Sequence, residues 1–303
     1  MVNRHVYFDT ATLYYRAFYA VPETITAPDG TPNGAVRSFF EMSAALLKTY
    51  PPQELVFAWD DDWRPDWRVK LIPSYKTHRV VDDATGTEEV PDLLSPQIEA
   101  IAQILDAIGL ARVGARGFEA DDILGSLVHQ HSGPMDIITG DRDLFQLVND
   151  DDDVRVVSIT KGMKNLENVD DAYLLNKYGV NGRQYVDFAT LRGDASDGLP
   201  GVKGVGEKTA SALLAQFSTM TDLLGAAHSD HPDIKSGVKS KLIEHVDYIA
   251  KATKVVAVRK DAKLPSNVNV PSKLKRPKDV EFLVSDWGAE KQVGRLLKNL
   301  GIG

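Results

Sequence analysis

The stretch Gly117–Asp143, GFEADDILGSLVHQHSGPMDIITGDRD, carries Glu119, Asp121, Asp122, Asp141 and Asp143 against apolar runs. One such acid alone is a helix cap or a solvated side chain. Five together at two element ends repel one another unless cations neutralise them. Hard divalent ions prefer carboxylate and water oxygens, so the spacing points to a metal site. Two more acids end apolar runs elsewhere: Asp9 after Val6-Tyr7-Phe8, and Asp60 after Leu55–Trp59. Asp194 and Asp197 stand one turn apart in LRGDASDG and would complete a second site.

Positioning these acids needs particular elements. The apolar runs at 6–8, 55–59, 111–113, 135–139 and 154–159 read as short strands, and the periodic segments at 35–50, 94–108 and 120–129 as amphipathic helices. Strand, acid, helix repeated in this way is the pattern of a parallel sheet, whose ligand crevice lies beyond the carboxyl ends of its strands. Asp9, Asp60 and Asp141 would meet there. Glu119, Asp121 and Asp122 open the helix at 120–129, where the positive end of the helix dipole tolerates them.

Basic residues form a second set. Residues 63–80 hold Arg64, Arg68, Lys70, Lys76 and Arg79 with Trp63, Trp67 and Tyr75 interleaved, a mixture suited to phosphates and stacked bases. The acids that follow, Asp82, Asp83, Glu88 and Glu89, read as a solvated segment with no chemistry. Further on, Gly201-Val202-Lys203-Gly204-Val205-Gly206 makes a tight turn that opens a helix near Glu207 and offers backbone N–H groups to a phosphate. Lys208 follows the turn, and Lys235, Lys239, Lys241, Lys251, Lys254, Arg259 and Lys260 could track a duplex backbone.

The net charge of -8 would argue against a nucleic-acid partner, but it is segregated. Residues 1–200 carry 18 Lys and Arg against 32 Asp and Glu, whereas residues 201–303 carry 17 against 11. The absence of cysteine excludes disulfides, thiolate nucleophiles and cysteine-ligated zinc. With 303 residues and 43% hydrophobic content the chain can bury a large core. No apolar run reaches the roughly 20 residues of a membrane span. The N-terminus has no signal-like segment, and a cytoplasmic location without membrane partners is the expectation.

Taken together, RAFYA (16–20), SYKTHR (74–79), GFEADD (117–122), TGDRDLFQLV (139–148) and LRGDASDGLPGVKGVGEKTA (191–210) resemble the 5' nucleases, the family of bacterial 5'-3' exonucleases and flap endonucleases that includes the nuclease domain of DNA polymerase I. The resemblance implies a fold of the PIN/5' nuclease type: an α/β domain over 1–180 with a mostly parallel central sheet and a basic arch or gateway segment at about 63–95. A helical DNA-binding region over 181–303 would follow, with a helix-hairpin-helix turn at about 185–217. It implies that Asp9, Asp60, Glu119, Asp121, Asp122, Asp141, Asp143, Asp194 and Asp197 hold two or more Mg²⁺ or Mn²⁺ ions. Lys76 and Arg79 would be the active-site cations, Tyr75 would stack on the terminal base, and Arg68 would contact DNA. Gly201, Gly204, Gly206, Lys208 and Thr209 would grip the duplex backbone with a bound K⁺. Gly198 departs from the family's asparagine.

The expected activity is hydrolysis of DNA phosphodiesters in 5'-flap, nicked or 5'-ended duplexes during replication and repair. The enzyme would be a stand-alone monomer working beside a separate polymerase and ligase. The alternative is a metal-dependent DNA-binding protein without turnover, which would need the turn and the basic third but not nine acids that repel phosphate.

Overall fold

The computed structural model describes residues 4–82, 87–229, 231–265 and 267–303. Asp83 of the acidic segment lies outside the described residues. The chain opens with strand β1 (Arg4–Asp9), and helix α1 (Thr10–Ala20) begins where Asp9 accepts a hydrogen bond from the Thr12 N–H. Helix α2 (Gly34–Thr49) returns the chain to β2 (Pro52–Ala58), and a short helix, α3 (Asp66–Leu71), lies in the basic segment. A small hairpin of β3 (Val80–Asp82) and β4 (Thr87–Glu88) precedes α4 (Ser95–Ile108), which ends at Gly109 in the left-handed region.

Strand β5 (Ala111–Val113) leads to α5 (Ala120–Gln130), whose start is a capping box between Glu119 and Asp122. Strands β6 (Met135–Thr139), β7 (Val154–Ser158) and β8 (Glu167–Val169) complete the sheet. Its order is β5-β2-β1-β6-β7-β8, parallel except for the β7–β8 pair. Every strand of this sheet but β8 coincides with an apolar run of the sequence; β8, Glu-Asn-Val, has a single apolar residue and leaves no such run.

Successive strand residues serve opposite faces. Tyr7, Val56, Ile137 and Val156 enter one apolar cluster, while Val6, Phe8, Phe57, Ile138 and Val157 enter the other. Both faces are therefore buried, which is why the strands read as continuous apolar runs rather than alternating ones. Each fully buried Val, Leu or Phe in these layers contributes roughly 1.5–3 kcal/mol.

The remaining chain is helical. Helices α6 (Asp171–Tyr178), α7 (Tyr185–Arg192), α8 (Glu207–Phe217), α9 (Met220–His228), α10 (Ser236–Glu244) and α11 (Val246–Val256) join the face that carries α5. Helices α12 (Pro277–Asp286) and α13 (Glu290–Leu300) instead return to the opposite face and pack on α4 and α2. Asn299 donates to the Ala44 carbonyl at 2.7 Å, and Asn33 donates to the Trp287 carbonyl at 2.7 Å. The C-terminal residues thus brace the sheet domain. Among the described residues, no helix is long and apolar enough to cross a membrane.

Candidate active site

Strands β2, β1 and β6 are neighbours at the centre of the sheet, and chain order reverses direction across β1. This is the topological switch point at which open parallel sheets bind ligands. A cavity of about 710 Å³ lies there, lined by Asp9, Asp60, Glu119, Asp121, Asp141 and Asp194, with Lys76 and Arg79 on the same wall system.

Each acid is held by local backbone. Asp9 is 4% exposed and accepts from the Thr139 hydroxyl at 2.6 Å and from the Thr12 hydroxyl. Asp60 accepts from the Ala120 N–H at 2.8 Å, tying the end of β2 to the start of α5. Asp141 accepts from the Asp143 N–H at 2.8 Å, while its own N–H donates to Thr139. Asp194 caps a short turn through Ser196 and receives Arg192 at 3.1 Å.

The electrostatics of this concentration are unfavourable without cations. Burial pushes the Asp60 carboxyl up to about 7. Burial followed by the charges of Asp141 and Asp9 raises Asp121 well above the carboxylate range, and burial with Asp141, Asp197 and Asp194 does the same to Asp143. Asp143 does not line the cavity, but its field joins it to Asp194 and Asp197, and one buried oxygen, Oδ1, has no hydrogen-bond partner. An all-oxygen donor set with an orphaned buried carboxylate oxygen fits a hard divalent cation. Among the described residues, no three of these acids already surround one point as a ligand set.

The basic segment closes one side. Lys76 sits in the left-handed region at φ 49°, and its N–H donates to the Asp197 carbonyl at 3.0 Å. Its ammonium lies 2.5 Å from Glu119; burial would pull its pKa down, but Glu119, Tyr75 and Asp197 outweigh that and hold it well above the usual lysine range. Arg79 reaches Asp197 at 3.2 Å and the Ser196 carbonyl at 2.9 Å.

Three expectations need correction. Asp122 is fully buried and turned away from the cavity. Its carboxylate takes both guanidinium nitrogens of Arg68 at 2.7 Å and the N–H groups of Arg259 at 2.8 Å and Glu119 at 3.1 Å, which leaves it unsuited to a metal. Arg68, only 2% exposed, uses its remaining Nε to donate to the Val255 carbonyl at 3.0 Å. It is an internal tie between α3, α5 and α11, not a DNA contact. Tyr75 is 3% exposed and donates its hydroxyl to Glu119 at 2.9 and 3.1 Å, so its ring is not open to a base.

Residues that the sequence reading left without a role also line the cavity: Tyr15, Arg16, Glu88, Arg142 and Thr160. Arg16 donates to the Thr160 carbonyl at 3.2 Å and keeps a buried Nε without a partner. Its position within RAFYA, about two turns beyond Asp9 on α1 and so on the same face, was the available signal.

On the far side of the acid loop, α7 and α8 form a hairpin. Gly201 at φ 70° lies so close to the Arg192 carbonyl that a Cβ would stand 2.5 Å from its oxygen, and Gly204 also has positive φ. Val202 and Val205 anchor the turn in the core, while Lys203, Gly204, Gly206 and Lys208 are exposed and Thr209 is half-buried. The start of α8, from Gly206 to Lys208, is therefore exposed.

A family model described as the 5'-3' exonuclease N-terminal resolvase-like domain matches residues 4–179, and one described as the 5'-3' exonuclease C-terminal SAM fold matches residues 180–279. A 5'-3' exonuclease of Streptomyces coelicolor is 47% identical over 296 residues, covering 96% of this chain and 98% of that protein. A 5'-3' exonuclease of Mycobacterium tuberculosis is 41% identical, covering 97% of each. Among solved structures, a zinc-bound T5 5'-exonuclease superposes with a TM-score of 0.64 at 16% identity over 98% of both chains. The catalytic core of Rad2 with a DNA substrate gives 0.61 at 17% identity, covering 98% of this chain and 92% of that one. With motifs, sheet order and both halves of the chain in agreement, the protein belongs to the 5'-3' exonuclease family.

Proposed function

We propose that the chain is a metal-dependent 5' nuclease that hydrolyses DNA phosphodiesters, acting as a 5'-3' exonuclease and on 5' flaps in replication and repair. The observation that carries this reading is one cavity at the switch point of the sheet, lined among the described residues by seven carboxylates and by Arg16, Lys76, Arg79 and Arg142. Asp9, Asp60, Glu119, Asp121 and Asp141 would hold one Mg²⁺ or Mn²⁺ ion, and Asp143, Asp194 and Asp197 a second. Bound ions supply Lewis acidity and an activated water, and no protein nucleophile is required.

The chain's own residues supply the rest. Lys76 and Arg79 stabilise charge growing on the scissile phosphate, a contribution of about 3 kcal/mol for a single well-placed donor. Thr12 and Thr139 hold Asp9 in one orientation. The α7–α8 turn, through Gly204, Gly206, Lys208 and Thr209, would grip a duplex phosphate backbone and provide a seat for K⁺; Gly201, expected to join them, is buried with its N–H donated to the Tyr248 hydroxyl at 2.9 Å and shapes the turn instead. Separating grip from cut in this way lets a monomer act on a 5' end that a separate polymerase has displaced and a ligase will seal.

The test is product mapping on 5'-flap, nicked and single-stranded DNA labelled at each end, with Mg²⁺ and with EDTA. Short 5' products that vanish in EDTA are expected; binding without cleavage under all conditions would refute the reading. Asp141→Asn should lower cleavage at least 100-fold and leave flap binding within a few-fold of wild type. Cleavage persisting in that variant would remove Asp141 from the site.

A further inference from the structure

Of the cations that line the central cavity among the described residues, Arg16, Lys76, Arg79 and Arg142, two are already matched to carboxylates. Lys76 meets Glu119 at 2.5 Å and Arg79 meets Asp197 at 3.2 Å. Arg16 is tied to the Thr160 carbonyl. Arg142 is exposed, stands in the chain between Asp141 and Asp143, and forms no ion pair with a carboxylate among the described residues. Its electrostatic neighbours are the phenols of Tyr185 and Tyr178 first, and Asp194 only after them. Neutral phenols orient a guanidinium without cancelling its charge.

The position of Arg142 is as particular as its charge. A second cavity, of about 830 Å³, shares Arg142, Asp194 and Ser196 with the first and continues to Glu207, the first residue of α8. The other cation on the second cavity, Arg192, is paired with Asp194 at 3.1 Å. Among the described residues, Arg142 is therefore the cation common to both cavities. It stands on the ridge between the converging acids and the turn that opens α8.

We propose that Arg142 is a substrate-binding residue that takes the phosphate next to the scissile one, on its duplex side. The inference rests on the nuclease reading above. A strand led from the acids towards the start of α8 crosses this ridge, where a guanidinium free of carboxylates can present two N–H groups to one phosphate. The contact is made to the backbone and carries no sequence preference. It fixes the distance from the gripped duplex to the bond that is cut, so Arg142 also helps to set the position of cleavage.

The experiment changes enzyme and substrate together. A 5'-flap duplex is prepared with one uncharged methylphosphonate at the phosphate on the 3' side of the mapped cleavage site, and a control carries it several phosphates further into the duplex. With Mg²⁺ and wild type, the adjacent methylphosphonate should raise KM about tenfold, as expected for the loss of one charge-assisted contact, with a smaller effect on kcat. Arg142→Gln should show that rise already on the unmodified flap, and the adjacent methylphosphonate should add no more than about threefold to it. Arg142→Lys, which keeps the charge, should remain sensitive to the modification. The control linkage should affect wild type and Arg142→Gln equally. A wild type indifferent to the adjacent methylphosphonate would overturn the assignment whatever the variants do, and so would equal losses in wild type and Arg142→Gln. If the wild type cleaves no flap at all, it is the nuclease reading that fails.

Discussion

The buried pair Arg68–Asp122 shows how far residue type can mislead when neighbours are unknown. An acid in EADD and an arginine in a basic, aromatic segment read as a metal ligand and a DNA contact. Instead they satisfy each other, and the pair also fixes the backbone of Arg259 and Glu119. Removing one partner of such a pair leaves a buried charge unpaired, which costs about 3–5 kcal/mol. Arg68→Met should therefore lower stability to urea by that amount. The salt dependence of DNA binding by the variant that remains folded should match wild type. A shallower salt slope would return Arg68 to the DNA surface.

At the scale of elements, the acid loop and the basic segment are joined by contacts without regular secondary structure. Ser74 donates its hydroxyl to the Gly198 carbonyl at 2.8 Å, the Lys76 N–H donates to the Asp197 carbonyl, and a Cβ on Gly198 would stand 2.2 Å from the Ser74 oxygen. Gly198 at φ 70° is thus required both by its backbone and by its neighbour. This gives a physical account of the departure from asparagine noted in the sequence. Gly198→Ala should cost about 1–3 kcal/mol through strain and lower kcat on a flap substrate at least tenfold by displacing Lys76 and Arg79. Urea denaturation and single-turnover cleavage check the two parts separately, and wild-type values in both would show that the loops do not need this contact.

For the whole molecule, charge segregation is a division of labour. On the proposed function, the acidic crevice of the sheet domain would repel DNA until cations fill it, and the basic helical region would hold the duplex beside it. Lys208 is exposed near the start of α8, where the proposed function would use it for the second of these tasks. Lys208→Gln should weaken flap binding and reduce the slope of log K against log salt by about 1, with the cleavage rate at saturating substrate changed little. An unaltered slope would exclude a phosphate contact at this position. Helices α12 and α13 carry four basic and four acidic residues between them and pack behind the sheet, where their apolar stripes, with Val280, Val284, Val293 and Leu296 buried, complete the second core.

The sequence by itself determined the parallel sheet, the acids at its strand ends and the glycine turn of the α7–α8 hairpin. Apolar runs, caps and positive-φ glycines are local signals that tertiary context rarely reverses. Asp9, Asp60 and Asp141 could be assigned to one crevice because parallel topology brings strand C-termini together. Only the tertiary structure decided which way individual side chains on irregular segments turn. Asp121 and Asp122 are adjacent in sequence, yet one faces the cavity and the other a buried guanidinium, because successive residues at a helix start point about 100° apart. Glu88, read as solvated, lines the cavity because hairpin pairing, a contact invisible to composition, folds it back over Arg79.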